Sequence, residues 1–281
     1  MTVAVVTDST SYLAPDVATG VTVVPLTVAI GGVEGTEGEQ ITPAEVTAAL
    51  VSRPQSVTTS RPAPERFAQT YRELLAAGAR GVVSVHLSAR LSGTVEAAML
   101  AAAEVDPERV VVIDAGSAAM GVGFCALAAQ AAAAAGGDLA AVSHAARAAI
   151  DRTTTLFYVD TLEFLRRGGR VSAASALLGT ALSVKPILHV TQGKVAVRDK
   201  VRTASRALER LVTLAVEAAG DSKVDVAVHH LAAPERAALV ADSLTDRLGD
   251  RLRRRWISEV GAVVAAHVGP GMAGVVVHRL D

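Results

Sequence analysis

The chain has 281 residues, with 27 Lys plus Arg against 28 Asp plus Glu and a formal net charge of −1, so it carries no basic field for nucleic acid. Hydrophobic residues make up 51% and aromatic residues only 3%; this length suits two packed domains, and an apolar excess carried by alanine fits either close helix packing or the lining of a lipid cavity. The single cysteine, Cys125, excludes an intramolecular disulfide framework. No stretch reads as a signal peptide, and the longest apolar run, 124–135, contains Gln130 and is too short to span a bilayer. The expectation is a cytoplasmic protein.

In chain order, residues 3–7 read as a buried strand ended by Asp8-Ser9-Thr10-Ser11, and 21–30 as a second strand turned by Gly31-Gly32. Thr42-Pro43-Ala44-Glu45 is a capping box with proline at the first helical position. Residues 56–62 (SVTTSRP) read as a polar, hydroxyl-rich loop, followed by a helix over 65–77. A strand at 82–87, a helix after 94, a strand at 109–114 and helices over 118–135 and 138–150 complete the first half. Short apolar strands alternating with helices predict a parallel sheet with helices on both faces for residues 1–150. Ligands of such sheets sit beyond the carboxyl ends of the strands, where Asp8, Thr59, Ser60, Ser88 to Ser92 and Asp114 all fall. Residues 151–281 predict a smaller α+β domain. It contains a strand at 155–159, a short helix at 162–167 ended by Gly168-Gly169-Arg170 and a helix capped by Ser172. A hairpin follows around Thr191-Gln192-Gly193, then helices over 204–219 and 235–248, and strands at 224–229, 254–259 and 274–278.

The stretch 81–98 (GVVSVHLSARLSGTVEAA) carries the most chemistry. A buried strand runs into the turn Ser92-Gly93-Thr94, and the turn opens a helix. The free amides of a first helical turn, two hydroxyls and a glycine that admits close approach together suit a phosphate or carboxylate. The same residues also suit a plain N-cap. His267 sits in AAHVGPGMAG, a tight turn where it is either a hydrogen-bond donor or gate, or a surface histidine. Arg170 on its glycine turn and Arg202 before the long helix are either anion grips or solvated helix-end cations. The run Arg251 to Arg255 reads as a solvated edge or a phosphate patch. Seven histidines show no metal spacing. Ser92, Asp114 and His267 follow the chain order of an α/β-hydrolase triad, but the serine lies in RLSGT rather than in a GxSxG elbow.

Eight segments in order resemble the DegV family, the FakB-type bacterial fatty-acid-binding proteins. They are VTDSTSYL (6–13), TTSRP (58–62), HLSARLSGT (86–94), VIDAGSAAMGVG (112–123), DTLEFLRRGGRVS (160–172), SVKPIL (183–188), KVRT (200–203) and HVGPGMAGVVV (267–277). The resemblance implies a two-domain carrier, not an enzyme, that encloses one long-chain fatty acid such as a C16–C18 acid in a tunnel supplied by residues 151–281. It implies no cofactor and no metal. The carboxylate would be held by Thr59, Ser92 and His267, with Ser60, Gly93 and Thr94 beside them, and presented to a separate fatty acid kinase. Arg202, and more weakly Arg170, are implied at the gate or the kinase contact. The family's T-S-Q-P loop reads Thr59-Ser60-Arg61-Pro62 here, which sets the cation Arg61 near the head group; Val95 replaces an aromatic, and Ala115-Gly116 replaces a Ser-Lys pair. The rival reading of the same residues is a hydrolase or phosphotransferase for acyl substrates using Ser92 and His267.

Overall fold

The computed structural model describes residues 2–14, 17–51, 56–171 and 184–280. The helix expected after Ser172 and the first residue of the SVKPIL segment lie outside these. The chain divides into two compact units, 1–27 with 60–151, and 28–59 with 152–281. The segment 28–59, and with it Thr59, belongs to the second unit, which is therefore the larger of the two.

In the first unit a four-stranded parallel sheet runs in the order β2 (Val21–Val24), β1 (Ala4–Asp8), β6 (Val82–His86), β7 (Val110–Asp114). Alternate residues of its strands enter two separate cores. Val5, Val83, Val85 and Ile113 pack with Cys125, Ala126 and Ala129 of α4 (Met120–Ala134) and Val142, Ala146 and Ala149 of α5 (Leu139–Asp151). Val6, Val24 and Val82 pack with Phe67 and Tyr71 of α2 (Pro64–Ala76) and Ala97, Ala98 and Ala101 of α3 (Thr94–Val105). Helices therefore cover both faces, which is why β6 is buried along its whole length. Burial pushes the Cys125 thiol up to about 12, so this cysteine is a packing residue.

A polar network crosses the second of these cores. The Tyr71 hydroxyl donates to Ser84 Oγ (2.8 Å), Ser84 Oγ lies 2.7 Å from His86 Nε2, and His86 Nδ1 lies 3.0 Å from Asp8 Oδ2. Asp8 also accepts the amides of Thr10 and Leu87, both at 3.0 Å. All four side chains are fully buried, so each must find its partner inside the protein.

The second unit contains a six-stranded mixed sheet in the order β10 (Lys194–Val201), β9 (Lys185–Thr191), β8 (Thr153–Tyr158), β13 (Ala273–Arg279), β11 (Val224–His230), β12 (Leu252–Glu259). Only β11 and β12 run parallel. The β9–β10 hairpin turns at Gln192 and Gly193, both at positive φ (49° and 75°), as a two-residue loop with a primed turn requires. The amphipathic α7 (Ala204–Ala219) and α8 (Pro234–Leu248) cover one face with Leu211, Leu214, Val240 and Leu244. The run 21–30, read as one strand, is two: β2 stays in the parallel sheet, while β3 (Thr27–Ile30) joins β4 (Val33–Thr36) and β5 (Val57–Ser60) in a three-stranded sheet, with Pro25 and Leu26 between them. The loop expected at 56–62 thus contains a strand, because residues 57–60 pair beside β3. The capping box holds: Thr42 N donates to Glu45 Oε2 (2.8 Å) and Glu45 N to Thr42 Oγ1 (3.3 Å), opening α1 (Pro43–Val51).

Two predictions follow from these cores. Ser84→Ala leaves both the Tyr71 hydroxyl and His86 Nε2 without their partner, whereas Tyr71→Phe removes a donor along with its own need. Urea denaturation should show Ser84→Ala costing about 1–3 kcal/mol and Tyr71→Phe less; an equal or reversed order would remove the network from the stability argument. Separately, burial lowers His229 and His278 to about 4. As pH falls from about 6.5 toward 4 the unfolded chain takes up these protons before the folded one, so stability is complete above that window and lost through it. The urea midpoint should drop across this range, and the double variant His229→Gln/His278→Asn should flatten the drop.

Candidate functional site

Thr59 and His267 come together within the second unit. β5 alternates half-buried Val57 and Thr59 with exposed Thr58 and Ser60, so Ser60 points away from the side that Thr59 occupies. His267 was expected in a tight turn; it lies instead in the last turn of a short helix, α9 (Ala262–Val268), which Gly269 ends at φ +70°. The Thr59 hydroxyl is 2.9 Å from His267 Nε2. The other ring nitrogen, Nδ1, is buried without a hydrogen-bond partner among the described residues.

Burial first, and then the positive charge of Arg170, lower His267 to about 4, so its ring is neutral near pH 7. A neutral imidazole carries one N–H. Placing it on Nδ1 would leave a buried donor unmet, so the hydrogen-bond network assigns it to Nε2, donating to Thr59 Oγ1. Thr59 then accepts from His267 and keeps its own hydroxyl proton to donate elsewhere. A cavity of about 380 Å³ opens there, lined by Thr59 and His267 with Ser56, Thr58, Phe164, Arg167 and Arg170 among others.

Glycines in two of the flagged motifs are packing requirements. A Cβ on Gly168 would stand 2.3 Å from His267 Nδ1, and one on Gly269 would stand 2.1 Å from the Phe164 ring. The turn after α6 (Glu163–Arg167) thus carries no side chain because the imidazole lies against it. Arg170 is half-buried, donates from Nη1 to the Gly168 carbonyl, and has its pKa lowered by burial. Arg167 is paired with Glu163. Arg202 is exposed between β10 and α7, one residue before the N-cap Thr203.

The turn at 92–94 belongs to the first unit. Gly93 is the N-cap of α3 and no side chain caps the helix, so the N-cap reading of Ser92 and Thr94 does not hold; their hydroxyls bond to each other at 2.8 Å. What approaches Gly93 closely is Arg61: a Cβ on Gly93 would lie 2.7 Å from Arg61 Cδ. The Arg61 guanidinium is paired with Glu96 in the first turn of α3. Of the Ser92, Asp114, His267 order, the first two lie in the first unit and His267 in the second. Asp114 accepts the amides of Gly116 (2.7 Å) and Ala89 (3.3 Å). Among the described residues no cluster of His, Cys, Asp or Glu could hold a metal ion, and no helix is long and apolar enough to cross a membrane. The sequence reading missed Phe164, Gly168 and Arg167 as neighbours of His267; the closeness of GGR and HVGPG appears only in three dimensions.

Comparison with known proteins matches this arrangement to one family. The family model described as an uncharacterised protein of the DegV family matches residues 2–279. A DegV domain-containing protein of Streptomyces coelicolor is 52% identical over 277 residues, 98% of each chain. One from Mycobacterium tuberculosis is 42% identical over 280 residues, 99% of this chain and 97% of its own. Among solved structures, a Thermus thermophilus DegV family protein described by its fatty acid binding superposes with a TM-score of 0.93 at 37% identity, covering 100% of both chains. The Bacillus subtilis DegV, described as a fatty acid binding protein, gives 0.88 at 29% identity and 99% of both chains. This chain therefore belongs to the DegV family.

Proposed function

We propose that this chain is a fatty-acid carrier that holds the acid's carboxylate at Thr59 and His267 and hands the loaded head group to a separate kinase. The observation that carries the reading is the Thr59–His267 hydrogen bond at the edge of the cavity. A neutral histidine that takes up one lone pair of the threonine hydroxyl leaves that hydroxyl a committed donor, which a carboxylate accepts. Arg170, close enough to depress His267, adds a positive field. The fatty-acid-binding relatives named above support the ligand class. The family pattern adds Ser92, with Gly93 and Thr94, to the same head group, and assigns Arg202 to the gate or kinase contact. Arg61, in place of the family's glutamine, adds a cation to the head-group loop.

Affinity on this reading comes from the tail. At ~0.8 kcal/mol per buried methylene, about 14 methylenes supply roughly 11 kcal/mol before the entropy costs of binding. The head group needs only to be oriented and kept reachable. The enzyme alternative requires turnover of an acyl ester or acyl phosphate by this chain alone.

Organic extraction and mass spectrometry of the purified protein should release about one fatty acid per chain; a folded protein with no acyl chain and no affinity for added hexadecanoic acid would sink the carrier reading. Thr59→Val, which keeps the shape and removes the hydroxyl, should weaken hexadecanoic acid binding about tenfold or more, as expected for one hydrogen bond to a charged group. Ser92→Ala should lower retention without abolishing any intrinsic esterase or phosphatase activity. Turnover by the wild-type chain that Ser92→Ala eliminates would instead establish the enzyme.

A further inference from the structure

We propose that Asp160 and Arg236 form a clamp that positions His267 by fixing the turn that ends its helix. The use made of His267 in ligand binding rests on the carrier reading above; the clamp itself rests on geometry alone.

A seven-residue helix does not hold itself in place. Its position is imposed at both ends. At the start of α9, the Val263 amide donates to Glu37 Oε1 at 2.8 Å, and Glu37 is buried. At the other end His267 is followed by Val268, Gly269, Pro270 and Gly271. Gly269 lies under the Phe164 ring, and Pro270 has a fixed φ. Gly271 sits at φ +86°, and the place of its missing Cβ lies 2.0 Å from Asp160 Oδ2. The carboxylate thus occupies the side-chain position of the turn's last residue.

Arg236, in the first turn of α8, ties these together. Its Nη1 is 3.0 Å from Asp160 Oδ2 and also donates to the Gly271 carbonyl. Its guanidinium lies 5.7 Å from the centroid of the Tyr158 ring. Asp160 is held in turn by the Tyr158 hydroxyl on Oδ1 and by Lys185 Nζ on its carbonyl at 3.1 Å. Tyr158, Asp160, Lys185 and Arg236 are thus linked beside Gly271, whose carbonyl Arg236 holds four residues from the imidazole. An ion pair serving only cohesion has no need to grip that carbonyl. One that sets the exit angle of α9 does, because the ring must meet Thr59 Oγ1 while its Nδ1 edge lies close enough to Gly168 to exclude a Cβ.

The test uses Arg236→Lys and Arg236→Ala in the full chain, with Arg210→Gln, which removes a surface arginine of the same unit, as the control. Lysine keeps the charge but replaces the planar guanidinium, whose Nη1 meets both acceptors, with a compact ammonium of different reach. Two readouts are taken: the NMR titration of His267 in ligand-free protein, and binding of hexadecanoic acid against 1-hexadecanol, which keeps the tail and lacks the carboxylate. Arg236→Ala should move the His267 pKa up from about 4 toward its ordinary value as water reaches the ring. Acid binding should fall about tenfold or more with alcohol binding nearly unchanged, Arg236→Lys lying between and Arg210→Gln matching wild type. An unchanged His267 titration in both variants, or equal losses for acid and alcohol, overturns the clamp. If Arg236→Ala does not fold, Arg236→Lys decides by the same criteria. If the wild-type chain binds neither probe, the carrier reading falls and the titration alone decides the clamp.

Discussion

An uncharged imidazole pressed against backbone is the constraint around which the second unit is arranged. His267 stays neutral because burial and the Arg170 charge both oppose protonation. Neutrality leaves one ring N–H, and because Nδ1 is buried without a partner among the described residues that N–H is assigned to Nε2, which leaves the Thr59 hydroxyl free to donate. The ring's close approach requires Gly168, and its exit from the helix requires Gly269 at positive φ beneath Phe164. Gly168 and Gly269 thus each answer to a neighbour's side chain. Replacing either with alanine would press on a ring, not on a ligand.

The first unit solves a different problem. Its parallel sheet is covered on both faces, so its strands present no polar side to water, and the groups at their carboxyl ends must be tied from within. Asp8 does this for two strands at once, closing its own turn through Thr10 and capturing the Leu87 amide at the end of β6. His86 extends the tie to the third strand, since its carbonyl accepts the Ala115 amide at 3.0 Å. The segment from Leu87 to Thr94 therefore leaves a fixed edge. A hydroxyl pair such as Ser92–Thr94 gains directional value only on such a base.

Much of this was legible in the sequence, and the exceptions share a cause. Helix 204–219 was read to the residue because its apolar period is regular and Thr203 caps it. The hairpin was given by Gln192-Gly193 and the capping box by Thr42 and Glu45. The parallel half followed from strands too uniformly apolar to face water. What failed were short segments whose state is set by distant partners. Residues 57–60 are polar enough to read as a loop, yet they pair beside β3. The run 21–30 is continuous in apolarity but split between two sheets at Pro25-Leu26. The seven residues of α9 were hidden by the glycines behind them. Thr59 and His267, 208 positions apart, were joined through family resemblance, and no local signal linked either to Asp160 or Arg236.

On the proposed carrier reading, a hydroxyl in place of a cation at the head group suits what a carrier must do next. A carboxylate locked into a bidentate arginine pair has its oxygen lone pairs engaged and its charge neutralised, and it is a poor nucleophile toward a phosphoryl donor. A single threonine hydroxyl, backed by a neutral ring, orients one oxygen and leaves the other its charge. The arginines of the second unit fit this division: Arg167 is already paired with Glu163, and Arg170 is turned onto the Gly168 carbonyl. In the first unit Arg61 is likewise matched by Glu96. In each unit these positive charges are thus largely committed to partners within the protein. On that reading the arrangement favours an anion while leaving its reactivity intact, as presenting a carboxylate requires.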